Sequence, residues 1–496
     1  MKFTATLLII IASLTVTAQE GNVFLDRAFW KSNPTLQIVQ QKVSDGYDAT
    51  KLNQNAFDAT VYALLEKAET PVIKYLLSLE GNPIEKRTHD SRTYIFWAAY
   101  AGNTEIMDYL LSKNAKTNIT DSHGNTPVMF AASAGQIDPK VYDLFEKYGV
   151  KIFEEKTEKG ANALHLIAGY AKDYKTIEYF VNKGISLQSK DAEGNGLFEY
   201  AAKGGNKNVL NMLIKRDVSF KNLNGKGGNA IIFASQGRRG HQNSLDFYKY
   251  LENLGVNVNT TNEDGRNPLH NIANNNEEKE VYNYFISKGV NVNKQDINGN
   301  SPFMIAANSN NLEIIKLLSS EIDNINLKNK NGQSALTKAV SGNTTETIAF
   351  LLKNGADINI VDVKGNSIAY YLLNSYKAND ISTFESKLSL LKSNGLNFKM
   401  LQENDNSLLH LAAKYSDVSL LKQLGELNVP INAKNNEGLT ALHIAAMTAS
   451  NTDVLKYLLQ KGADKTLTTE FDETVFDLAS ENELLQLQKS NLDFLN

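Results

Sequence analysis

The side chains best suited to metal binding or proton transfer near neutral pH are seven histidines. Four of them, His165, His270, His410 and His443, each follow a leucine directly and recur at one position of a repeating pattern. Residues spaced in that way fall in different units of the repeat and do not converge, so they predict no shared metal or acid–base centre. His89, His123 and His241 lie in turn-like stretches, and none has the partner through which an HExxH helix brings two imidazoles to one zinc. The run Asp296-Ile297-Asn298-Gly299 looks like part of a calcium loop, but an EF-hand needs an acid five residues before the glycine and a bidentate Glu six after it. Those places hold Lys294 and Ile305, and around Gly265 they hold Thr260 and Asn271, so calcium is not expected.

Other familiar chemistry fails on similar grounds. The glycine clusters Asn224-Gly225-Lys226-Gly227-Gly228 and Lys203-Gly204-Gly205 lack the Lys-Ser/Thr pair of a phosphate-binding loop. Without any cysteine, disulfides, thiolate metal sites and cysteine nucleophiles are excluded. A GxSxG nucleophile turn is missing as well. The expectation is therefore no catalysis and no cofactor. The insertion Gly237-Arg238-Arg239-Gly240-His241 is the one local concentration of positive charge with flexible flanks, and would suit an acidic partner. Over the whole chain the net charge is −4, which offers no basic field for nucleic acid.

The elements that must position any site come from a repeat. The chain has 496 residues, 42% hydrophobic and 21% charged, enough apolar content to fold throughout. Turn glycines at Gly124, Gly160, Gly194, Gly265, Gly299, Gly332, Gly365 and Gly438 mark a spacing of about 33 residues, the length of a repeated helix pair. Each glycine lets the chain reverse. Thr126-Pro127 and Ser301-Pro302 then open a first helix, the hydroxyl capping free amides and the proline standing where its missing N–H costs nothing. Alanine pairs such as Ala131-Ala132 and Ala445-Ala446 permit close helix approach, and a second helix carries a larger apolar stripe, as at Val454, Leu455, Leu458 and Leu459.

In detail, TALHIAA at Thr440–Ala446, NPLHNIA at Asn267–Ala273, LLHLAA at Leu408–Ala413 and NGADIN at Asn354–Asn359 resemble the ankyrin repeat. The resemblance covers most of the chain and implies an all-α solenoid of stacked helix-turn-helix units with short β-hairpin fingers. About eleven units are expected over residues 90–467, with a helical segment and degenerate capping repeat at 19–89 and capping helices at 468–496. The recurrent histidine is expected to bridge loops of adjacent units. The resemblance further implies a monomer that holds a protein partner on its concave face. The residues after the alanine pairs, Tyr100, Ser133, Lys203, Asn308, Lys414 and Met447, and the finger tips Glu193, Asn262, Glu263, Lys330, Lys364 and Glu437 are the candidate contacts. A protein that blocks a toxin or shields an enzyme would share this sequence pattern, and an enzyme or small-ligand binder would need a convergent polar groove.

Three units depart from the pattern. GNGLFEYAAKGG from Gly194 lacks the capping hydroxyl and proline, residues 236–244 add a polar loop, and residues 374–384 lengthen a third unit. In an array coupled only through neighbours, these units are expected to open first. At the N-terminus, Lys2 precedes an apolar run from Leu7 to Leu14 and then Val16-Thr17-Ala18, the pattern of a signal peptide cleaved after Ala18. That run is too short to span a bilayer, so no stable membrane insertion and a periplasmic or secreted location are expected. Abundant Asn, Lys and Ile suggest an AT-rich bacterial genome.

Overall fold

The computed structural model describes residues 21–496, so the expected leader peptide and its cleavage point lie outside the described residues. Two units are distinguished, residues 1–219 and 220–496. In the first, short helices pair in succession: Arg27–Lys31 with Leu36–Ser44, Ala59–Leu65 with Thr70–Ser78, Tyr94–Ala101 with Thr104–Ser112, Pro127–Ser133 with Pro139–Lys147, Ala163–Ala168 with Tyr174–Asn182, and Leu197–Ala202 with Lys207–Ile214. In the second, the pairs open with Ala230–Gln236, Pro268–Ile272, Pro302–Ser309, Ala335–Gly342, Ile368–Asn374, Leu408–Ala413 and Ala441–Thr448, and close with Val475–Glu481 and Glu483–Leu487. Within each unit, first helices stack on first helices and second on second, as helix Pro302–Ser309 does on Ala335–Gly342. This is the all-α stacked-pair architecture.

The helices begin where the sequence supplies a cap. Thr126 Oγ1 accepts from Met129 N, Ser301 Oγ from Met304 N and Asn103 Oδ1 from Ile106 N, each satisfying an amide with no helical partner. In every alanine pair named by Ala98-Ala99, Ala131-Ala132, Ala306-Ala307, Ala412-Ala413 and Ala445-Ala446, both residues are fully buried. A larger side chain there would push neighbouring helices apart. The fingers are narrow. They are turns closed by single antiparallel bridges, such as Lys190 to Gly196 and Val361 to Ser367.

Backbone bonds run from finger to finger. Ser122 N donates to Asp90 O and Ala192 N to Lys159 O in the first unit; Ile297 N donates to Asp264 O, Lys330 N to Asn298 O and Val363 N to Asn331 O in the second, at 2.7 to 3.0 Å. Gly299 shows why the turn position is glycine. It has φ +79°, and a Cβ there would lie 2.7 Å from Lys330 N, the donor of one of these bonds.

Asparagine amides make a second series of bridges. Asn293 accepts from Asp323 N at 2.9 Å and donates to Glu321 O at 3.0 Å, so one side chain holds two backbone groups of the next helix pair. Asn326 does the same with Asp357 N and Gly355 O, and Asn432 with Asp464 N and Gly462 O. At the opposite loops Asn310 donates to Ala273 O and Asn276 O, Asn343 to Ala307 O and Asn310 O, and Asn482 to Ala446 O and Ala449 O. Each such bond is worth about 1 kcal/mol net, whereas exposed ion pairs between neighbours, such as Lys279–Glu313, are screened by water and hold the stack less firmly. The amides therefore outweigh the surface charges in coupling the stack.

The lengthened unit absorbs its extra residues in a helix rather than a loop. Its second helix runs Ile381–Ser393, 13 residues, because Asp380 Oδ1 caps Thr383 N and restarts the helix early. Among the glycines of the described residues, Gly204 leaves the least room, since an added Cβ would stand 1.8 Å from Gly169 O. Backbone carbonyls cannot yield as side chains do, so Gly204→Ala is expected to destabilise by about 2 kcal/mol or more. Gly149→Ala, with positive φ but open space around it, should cost about 1 kcal/mol. Urea unfolding of both variants checks the order.

Candidate functional site

The four recurrent histidines occupy the third position of the first helices and are buried, at 0 or 1% exposure. His165 Nδ1 accepts from Asn162 N and His443 Nδ1 from Thr440 N, while the amides of His165 and His443 donate back to the side chains of the same capping residues. This is a reciprocal cap in which imidazole takes the place of the usual Glu. An amide aimed at Nδ1 puts the ring proton on Nε2, which donates outward to Ser189 O from His165, Asn300 O from His270, Leu439 O from His410 and Leu467 O from His443, at 2.8 to 3.2 Å. The rings thus bridge adjacent loops. Burial pushes all four below the ordinary imidazole value, His270 to about 4 with Arg266 adding to the effect, so they are neutral at pH 7.

Glu199 stands at the equivalent place in the pair whose capping hydroxyl is missing. Its Oε2 accepts from Gly196 N at 3.0 Å, so the cap is made by the third residue alone. The carboxyl is 6% exposed, and burial pushes its pKa up to about 7. The sequence shows the missing hydroxyl directly; the signal for the glutamate that replaces it is a titratable residue in the histidine's register.

His89 and His123 flank Asp90. His123 Nε2 lies 3.2 Å and His89 Nε2 3.4 Å from Asp90 Oδ2, and Arg92 Nη1 lies 3.0 Å from the same oxygen. Burial opposes the charge of Asp90, but Arg92 and the two imidazoles hold its carboxyl below the usual range. Arg92 also pairs with buried Asp121 at 2.9 Å and lies over the Phe130 ring at 4.1 Å. Among the described residues no group of three or more His, Asp or Glu side chains is arranged to hold a metal ion. The Arg92 cluster ties two helix pairs together; the sequence singles out its two histidines as turn residues but not Asp90, Arg92 or Asp121.

The candidate contact residues fall into two sets. Tyr100 is half-buried and stacked on Phe130 at 5.7 Å, Lys203 is half-buried beside the Tyr200 ring, and Glu193 and Asn262 are half-buried in their fingers. Asn308 is half-buried, and its carbonyl crowds Gly342. Lys364 is exposed but lies 3.1 Å from Glu403. Ser133, Glu263, Lys330, Lys414, Glu437 and Met447 are exposed, Met447 to 47%. Because helix Leu408–Ala413 packs on Ala441–Thr448, Lys414 and Met447 end adjacent first helices and lie on one side of the second unit, with exposed Tyr415 next to them.

Comparison with known proteins gives a consistent picture. The family described as ankyrin repeats (3 copies) matches residues 60–151, 198–296, 231–326, 269–362 and 375–469, together well over half of the chain. The chain is 24% identical over 192 residues, 39% of its length, to a transient receptor potential cation channel subfamily A member 1 homolog of Caenorhabditis elegans, of which this covers 15%. It is 24% identical over 163 residues, 33% of its length, to palmitoyltransferase AKR1 of Lachancea kluyveri, covering 22% of that protein. It is also 30% identical over 109 residues, 21% of its length, to a putative ankyrin repeat protein of Rickettsia bellii, covering 15%. The chain thus spans less than a quarter of each relative.

Protonation should separate the two kinds of third-position residue. A histidine whose folded pKa is lowered binds fewer protons than the unfolded chain between about pH 4 and 6.5, so its contribution to stability is full above pH 6.5 and is lost on acidification. Glu199, with a raised folded pKa, has the opposite sign: its contribution is full below about pH 4.5 and is lost as pH rises through about 7. Glu199→Gln is therefore expected to stabilise the chain on the order of 1 kcal/mol at pH 8 and to change little at pH 5. Thermal unfolding at both pH values measures it.

Proposed function

Since the chain belongs to the ankyrin repeat family, a family of protein-binding scaffolds, we propose that it holds a protein partner outside the cytoplasm, in the periplasm or extracellular space. The observation that carries this reading is the exposed strip on the second unit. Lys330, Lys414, Glu437 and Met447 occupy equivalent finger-tip and helix-end positions, are exposed, and the three charged ones make no ion pair among the described residues. The neighbouring alanines are wholly buried. Side chains that the fold does not use, presented at a repeating interval on rigid elements, suit recognition of an extended protein surface. Exposed Tyr415 and Met447 supply apolar anchors among the charges. Lys364 remains available despite Glu403, because water screens so exposed a pair.

Export is supported by the leader pattern at residues 1–18. No helix among the described residues is long and apolar enough to cross a membrane. Purification of the tagged full chain from cell fractions tests both parts. The expected mass corresponds to loss of residues 1–18 in an extracytoplasmic fraction, with a defined protein co-eluting. A variant carrying Lys330→Glu, Lys414→Glu and Met447→Glu should keep its helical circular dichroism and lose that protein at least tenfold. Retention of Met1, or equal co-elution with the variant, contradicts the proposal.

A further inference from the structure

The lengthened helix pair of the second unit creates a groove. Between the start of helix Thr345–Lys353 and the segment 375–387, a solvent-open groove of about 510 Å³ is lined by Thr344, Thr345, Ser382 and Ser386, with Lys387 in its wall. This volume is within the range of small-molecule sites. The extra residues of the unit supply one whole side of it, Lys377, Asp380, Ser382 and Thr383 included.

Lys387 packs against the C-terminal end of helix Ala335–Gly342, with no carboxylate at ion-pair distance among the described residues. It is 3% exposed, yet a lysine is almost never so buried without a counter-charge. Its Nζ donates to Val340 O at 2.9 Å, one of the last carbonyls of helix Ala335–Gly342. The helix end offsets part of the ammonium's charge, and the carbonyl takes one of its three donors, which leaves two for a ligand. Burial pushes its pKa down, with Lys377 adding to that effect, while Asp380 opposes it only from beyond ion-pair distance. The charges facing Lys387 from the packed elements are thus Lys377 and Asp380 on its own segment and Glu346 on the opposite rim.

Both rim acids are already engaged. Asp380 accepts from Thr383 N and Ser382 Oγ, and Glu346 accepts from its own amide and the Thr344 hydroxyl. They remain ionised at neutral pH and would repel a dianion, leaving room for a single negative charge at Lys387. The remainder of the lining is mostly hydroxyl, and Ser341, Thr344, Ser375, Ser382 and Ser386 already donate within the protein, so their oxygens face a ligand as acceptors for its hydroxyls. We propose that this groove binds a small hydroxylated carboxylate of the sugar-acid class, its carboxylate on the Lys387 ammonium and its hydroxyls on the serine and threonine rim.

Isothermal titration of the full chain with glucuronate, glucose and inorganic phosphate tests the assignment. Saturable one-site binding of glucuronate is expected, with glucose and phosphate at least tenfold weaker. Lys387→Met, which keeps the stem and removes the charge, should weaken glucuronate at least tenfold. Should that variant fail to fold, Ser386→Asp on the exposed rim tests whether the carboxylate sits in this groove, since a fixed negative charge there should also weaken glucuronate at least tenfold. Absence of saturable glucuronate binding, equal binding of glucose, preference for phosphate, or unchanged affinity in Ser386→Asp overturns the proposal.

Discussion

The stacking of helix pairs depends on one constraint: the loops of each pair leave backbone groups that the pair cannot satisfy itself. Short helices have proportionally many such ends, and an end buried against a neighbour without a hydrogen-bond partner costs about 1 to 3 kcal/mol. The chain meets this constraint from the adjacent pair. Asn310 covers Ala273 O and Asn276 O, Asn482 covers Ala446 O and Ala449 O, and Asn326 holds Gly355 O together with Asp357 N. The apolar stripes bring the helices together without regard to register; the amides, imidazoles and finger bonds decide which residue faces which.

The third position of the first helix shows how this constraint governs chemistry. An imidazole there caps its own helix with one nitrogen and the next loop with the other, which requires the neutral form. Histidines that look available for acid–base work are therefore committed to structure. Lys387 is the contrasting case, since a helix-end carbonyl takes only one of its three donors, in a groove made by the irregular unit. Irregularity in an array of this kind marks where the structure departs from mere stacking.

Much of the architecture was legible because recurrence carries it. Glycine, the capping hydroxyl and the alanine pair each have a local reason, and they return in the same order, so the stacked all-α arrangement followed from pattern alone. The histidine bridge was legible through the resemblance. The asparagine bridges were not, since an amide that reaches the next pair has the same local sequence as one in an ordinary turn; abundant asparagine alone suggests only genome composition, and the structure gives it a mechanical use. Glu199 escaped for a similar reason, because its partner is a backbone amide. Exposure could not be read either. Tyr100 and Met447 follow alanine pairs alike, yet one stacks on Phe130 and the other faces solvent.

The central claim is that neighbouring pairs are coupled by polar groups held between their loops, including the finger-to-finger bonds. Residue-resolved amide hydrogen exchange reads those bonds directly, because their donors, Ala192, Ile297, Lys330 and Val363 among them, lie on exposed turns where no burial of the side chain would protect them. The account predicts that these amides exchange about as slowly as the helical amides of their own pairs, and faster together with them when the array opens. Exchange at the rate of an unstructured loop, with the helices still protected, would contradict it.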